Sequence, residues 1–138
     1  MGEWVSIYWA APIMAWLVAQ LAKMALAVFN GSPRDQRPTI VTSGSMPSSH
    51  SAITVSLLVV VGVLDGISSA AFGITLVLTS IVIYDALNVR RAVGEQGIVL
   101  KQIAKDKAFY SAIGHKPIEV VAGSILGVAV ASVMLQIL

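Results

Sequence analysis

The sequence predicts an all-α fold, an integral membrane bundle of four transmembrane helices with a short interfacial amphipathic helix. Three observations predict it: charge is scarce, long apolar runs recur, and every basic residue falls on one side of the resulting topology. Of 138 residues, 57% are hydrophobic and 12% charged, with a mean hydropathy of +0.84. A soluble domain carries about a quarter charged residues, so much of the apolar surface here must face lipid. The length fits one membrane-embedded domain covering residues 1–138. The chain has no cysteine, which excludes disulfides, thiolate metal sites and cysteine nucleophiles. A net charge of +2 is too small to recruit nucleic acid.

The first apolar run, residues 4–29, has no basic residue before it and exceeds the length of a signal-peptide core, so it reads as a retained helix. Trp4, Tyr8 and Trp9 form an aromatic belt near one interface, and Pro12 is placed to kink the helix. Residues 49–64 fall slightly short of the roughly 20 residues a span needs, a deficit that Ser48 and a polar first turn can fill. Residues 68–87 and 118–138 complete the four. The connections are a Pro/Gly/Ser-rich loop over residues 30–47, a tight turn at 65–67 around Gly66, and a long charged segment at 88–117. Within that segment, residues 98–113 interleave Val99, Leu100, Ile103, Ala104 and Phe109 with Lys101, Lys105 and Lys107 at helical spacing. This is the pattern of an amphipathic helix lying on anionic headgroups. Gly123 and Gly127 form a small-xxx-small pair, a signature of close helix packing.

Four spans place all nine basic residues on one side: Lys23, Arg34, Arg37, Arg90, Arg91, Lys101, Lys105, Lys107 and Lys116. The opposite side holds only Glu3 and Asp65. By the positive-inside rule the basic side is cytoplasmic and both termini lie outside. Binding of anionic ligands is an alternative reason for some of these cations.

Three polar clusters sit on that side, where spans begin or end. Gly44-Ser45-Met46-Pro47-Ser48-Ser49-His50-Ser51 leads into a helix, and helix N-termini expose unsatisfied N–H groups and a positive dipole end. Its simpler reading is an N-cap at Ser48 or Ser49 with an interfacial His50. The second cluster runs from Tyr84 and Asp85 through Arg90 and Arg91 to Glu95. Asp85 lies at the end of a span, where an ionisable group is usually paired or functional. The arginines either snorkel or join Asp85 and Glu95 in a buried network that clamps phosphate. In the third, Pro117 marks the start of the last span and His115 stands four residues before Glu119. A carboxylate within reach of the imidazole would fix its tautomer and make the other nitrogen a better nucleophile or base; a capping histidine and a dipole-stabilised glutamate are the alternative. Gln20 and Lys23 share one face of the first helix on the same side, where Lys23 either snorkels or contacts phosphate.

These stretches resemble the divergent branch of the type-2 phosphatidic acid phosphatase family, related to acid phosphatases and vanadium-dependent haloperoxidases. Pro47-Ser48-Ser49-His50 looks like that superfamily's Pro-Ser-Gly-His motif with serine for glycine, and His115-x3-Glu119 looks like the end of its Ser-Arg-x5-His-x3-Asp motif with glutamate for aspartate. The resemblance implies that His115 attacks phosphorus, Glu119 orients it and His50 protonates the leaving oxygen. The pattern departs elsewhere: the motif arginine would fall at Phe109 and the first-motif lysine at Asn30. Lys23, Arg90 and Arg91 would then supply those charges from other places, with Ser48 and Ser49 completing the phosphate contacts and Gln20, Asp85 and Glu95 in support.

The function so implied is a metal-independent, membrane-bound phosphatase acting on a lipid phosphate or pyrophosphate through a phosphohistidine, with no cofactor. Other readings are a non-catalytic protein binding anionic lipid headgroups, vanadate-dependent haloperoxidase chemistry, and a transporter, which at this size would need an oligomer. A homo-oligomer is left open. An enzyme needs both His50 and His115, whereas a headgroup binder depends mainly on Arg90, Arg91 and the lysines.

Overall fold

The computed structural model describes residues 2–31, 46–104 and 116–137, and these are helical apart from short turns and caps. Helix α1 covers Gly2–Phe29, α2 Ser49–Leu64, α3 Ala70–Tyr84, α4 Arg90–Ala104 and α5 Pro117–Ile137. Three stretches are long and apolar enough to cross a bilayer: Ile7–Phe29, Ala70–Leu100 and Pro117–Ile137. With 16 residues, α2 is about 24 Å long at 1.5 Å per residue. It sits centrally, packed against α1, α3 and α5, with α1 also against α5.

Helices α2 and α3 start where their chemistry directs. Ser48 and Ser69, both with extended backbone, cap α2 and α3 through their side-chain oxygens. The α2–α3 turn uses Gly66 at φ +84°, a left-handed conformation that glycine adopts without Cβ conflict. Pro12 lies buried inside α1, which continues as helix on both sides. Neighbouring helices re-satisfy the backbone around an intramembrane proline.

Small residues make the interior. Along α1, Ile7, Ala11, Ala15 and Ala19 are fully buried at intervals of four and meet Ala52 and Val60 of α2 and Ala131 of α5. The outer faces carry exposed Trp9, Leu17, Leu21, Ile74, Val77 and Ile125, as surfaces that contact acyl chains should. Helices α2 and α5 run parallel and touch at Gly123 and Gly127. A Cβ at Gly123 would collide with the Ser48 backbone, and one at Gly127 would stand 2.5 Å from the Ala52 carbonyl oxygen. The glycine pair thus permits backbone-to-backbone approach. Helix α3 is antiparallel to α2, held by the Thr79 hydroxyl donating to the Thr54 carbonyl at 3.2 Å. At the far end the Tyr8 hydroxyl donates to Asp65 Oδ1 at 2.7 Å. Tyr8, expected only to anchor in the interface, therefore also ties α1 to the α2–α3 turn.

One boundary differs from expectation. The third span does not end near Leu87 in a loop: α3 passes through a π turn at Asp85–Val89 directly into α4. Its successive stretches of 15, 5 and 15 residues extend about 50 Å, more than the roughly 30 Å hydrocarbon core. The amphipathic helix thus begins at Arg90 rather than 98. The expected stretch beyond 104 lies outside the described residues.

Candidate active site at the helix N-termini

Polar side chains gather where α2 and α5 begin. The Ser48 hydroxyl accepts from the Ser51 N–H at 3.4 Å and from the Ser51 hydroxyl at 3.0 Å, and both serines are fully buried. The Ser48 N–H donates to the Glu119 carbonyl at 2.9 Å, joining the start of α2 to the first turn of α5. In α5, Pro117 is the first helical residue, and Glu119 Oε2 accepts the Lys116 N–H at 3.1 Å. This is the reciprocal half of a capping box, with glutamate reaching back from the third helical position. Two parallel helices therefore bring together their N-terminal N–H groups and positive dipole ends, each equivalent to about half a charge.

Helix α1 closes the other side. The Ser49 hydroxyl donates to Gln20 Oε1 at 3.4 Å. Lys23, about one turn further along α1, is only 4% exposed and lies within electrostatic reach of Glu119. It continues the buried alanine stripe, so its charge is held inside the bundle at a position that packing alone would fill with a small apolar residue. Its ammonium group has no hydrogen bond or salt bridge to another described residue. His50, half-buried, occupies the first turn of α2.

The π turn belongs to the same layer. Thr79 opposite Thr54, and Phe72 against Gly62, fix the antiparallel register of α3 on α2, which brings Asp85 to the level of Ser48 and Ser49. The turn also packs against α5, with Ala86 buried. Arg90 Nε donates to Asp85 Oδ2 at 2.6 Å, and Arg91 Nε to Glu95 Oε1 at 3.1 Å. Of the two readings open for these arginines, the single buried network does not form: the cluster makes two separate, part-exposed pairs. Arg90 and Asp85 are 41% and 36% exposed, Arg91 and Glu95 more so. Consecutive helical residues point about 100° apart, so the two arginines leave the helix in different directions, Arg90 back across the π turn and Arg91 forward along α4.

Of the residues singled out from sequence, the structure brings Gln20, Lys23, Ser48, Ser49, His50 and Glu119 to one end of the bundle, with Asp85 and Arg90 at the same level. Arg91 and Glu95 lie on the exposed side. His115 lies outside the described residues, as do Gly44, Ser45 and Gly114 of its neighbouring motifs and the basic Arg34, Arg37, Lys105 and Lys107. The sequence placed Ser51 in the first cluster without a role of its own, although its hydroxyl completes the α2 cap, and it did not show the part Gly123 plays in admitting the Ser48 backbone. Both follow a pattern readable in advance: serine three residues after an N-cap, and glycine one turn after Glu119.

No solved structure matches the chain. A relative described as "Uncharacterized membrane protein YuiD", from Bacillus subtilis (strain 168), is 30% identical, with 69% of this chain and 73% of the relative covered. A family model described as "Divergent PAP2 family" matches residues 6–130. Its matched stretch includes both helix N-termini, the buried lysine and the π turn, and this integral membrane protein belongs to the Divergent PAP2 family.

Proposed function

We propose that the protein is a membrane-bound phosphatase that hydrolyses a lipid phosphate or pyrophosphate through a phosphohistidine intermediate. The convergence of the α2 and α5 N-termini beside the buried Lys23 carries this reading. Two positive dipole ends and an ammonium group, offset by the single Glu119 carboxylate, make one partly desolvated place that favours a further anion. Phosphoryl transfer needs this environment, since its catalysis is mainly positioning and stabilisation of charge on the nonbridging oxygens.

In this scheme an imidazole nitrogen of His115 forms the N–P bond as the P–O bond to the leaving group breaks, the lipid alcohol for a phosphate or the lipid monophosphate for a pyrophosphate. His50 passes its proton to the departing oxygen, then takes one from the water that attacks the phosphohistidine. Glu119 orients His115 and offsets the positive charge that develops on it. Lys23, Ser49, Arg90 and the N–H groups around Ser48 hold the phosphoryl oxygens, with Gln20 supporting Ser49; Arg91, paired with Glu95 on the exposed side, stays outside this set. The basic end faces the cytoplasm and both termini face outward. The test is release of phosphate by detergent-purified protein from a panel of lipid phosphates and pyrophosphates in chelator. Chelator-resistant release supports the reading. Binding of these lipids without release from any of them would replace it with a headgroup-binding role.

A further inference from the structure

We propose that Asp85 is a positioning residue for an anion ligand, Arg90, and that the π turn between them sets this arrangement. The inference rests on the phosphate-site reading above, which it deepens by dividing the labour of the two arginines.

The Asp85–Val89 turn closes with the Arg90 N–H donating to the Asp85 carbonyl, five residues back. The side chains of the same two residues meet at 2.6 Å, so backbone and side-chain contacts share one i to i+5 spacing. In an unbroken α-helix the residue facing position 85 at i+4 would be Val89, which has no donor to offer. The extra residue per turn is thus what brings a guanidinium over Asp85. π turns of this kind occur frequently at functional sites.

Asp85 engages Arg90 only through Nε. The two Nη groups make no hydrogen bond to a described residue, leaving the planar fork that suits two oxygens of a phosphate. The segment packs on α5 and lies level with Ser48 and Ser49. Arg91 is held the other way by Glu95 and is 60% exposed. One arginine is therefore fixed in the layer of the site, and the other faces away. Without the Asp85 charge, the long Arg90 side chain, already 41% exposed, would turn out to water.

Orthophosphate binding to purified protein, measured by calorimetry, and lipid-phosphate kinetics test this together. Asp85→Asn should raise the phosphate Kd and the KM about tenfold or more, as loss of a charge-assisted contact does, with kcat changed far less. Arg90→Gln should match it, and Arg91→Gln should leave phosphate affinity near the parent. The double swap Asp85→Arg with Arg90→Asp keeps an ion pair across the π turn. If the pair only braces the fold, the swap restores phosphate affinity and the inference is overturned; if Arg90 is the ligand, the swap keeps the melting temperature and still loses affinity. Unchanged affinity in Asp85→Asn and Arg90→Gln, or no phosphate binding by the parent, also overturns it. Phosphate binding that follows this pattern without lipid-phosphate hydrolysis leaves the inference standing and removes the hydrolase reading.

Discussion

Substituting Gly123 by alanine tests whether the α2–α5 contact builds the site. The added Cβ would press on the carbonyl, carbon and nitrogen of Ser48, all backbone atoms that no rotamer change can move aside. The helices must separate there, and the 2.9 Å bond from the Ser48 N–H to the Glu119 carbonyl lengthens with them. Overpacking costs about 1–3 kcal/mol, and a rigid backbone neighbour puts this position at the upper end. Alanine recovers about 1 kcal/mol of helix propensity, so the net loss is about 2 kcal/mol. Gly73 is the internal control: nothing lies within 4 Å of its Cβ position in α3, and Gly73→Ala should gain about 0.5–1 kcal/mol. Thermal unfolding of both variants in one detergent, with phosphate binding in parallel, is the assay. Gly123→Ala as stable as Gly73→Ala, with phosphate binding intact, would refute the argument that this contact shapes the site.

Three further outcomes follow from the same geometry. Lys23→Met keeps the stem and removes a buried charge with no bonded partner among the described residues; thermal stability should hold or rise, while phosphate affinity falls at least tenfold. Ser56 is fully buried with an unsatisfied hydroxyl, so Ser56→Ala should stabilise by about 1 kcal/mol in the same melts. For topology, single cysteines at positions 34 and 105 should label only from the cytoplasm in intact cells, because the native chain has none to compete; outside labelling would reverse the assigned orientation.

The fold was legible because a membrane span imposes strong constraints on sequence. Apolar length located α1, α2 and α5 to within a residue or two, and Ser48, Pro117 and Gly66 marked their boundaries through capping and turn chemistry. Gly123 and Gly127 identified a packing seam but not its partner, since small residues announce close approach without saying to which helix. The π turn was not legible: a one-residue change in helical register leaves composition and hydropathy untouched, and charge at Arg90 and Arg91 read naturally as the start of a loop. Whether the second cluster was buried was equally out of reach, because it depends on which way consecutive arginines leave the helix. Lys23 was half legible. Its shared face with Gln20 was clear, whereas its burial required seeing that Ile7, Ala11, Ala15 and Ala19 form the stripe it completes.

With His115 as nucleophile and His50 as general acid, the two histidines differ in how their loss depends on the leaving group. The measurement is kcat/KM for His50→Ala, His115→Ala and Glu119→Gln on an aryl phosphate and on an alkyl lipid phosphate. An aryl oxide departs with little protonation, so His50→Ala should retain far more activity on the aryl substrate, a difference of about 10²-fold or more. His115→Ala should lose both activities, because the covalent step is gone, and Glu119→Gln should fall between. Equal loss on both substrates for His50→Ala, or an active His115→Ala, would rule out this division of roles.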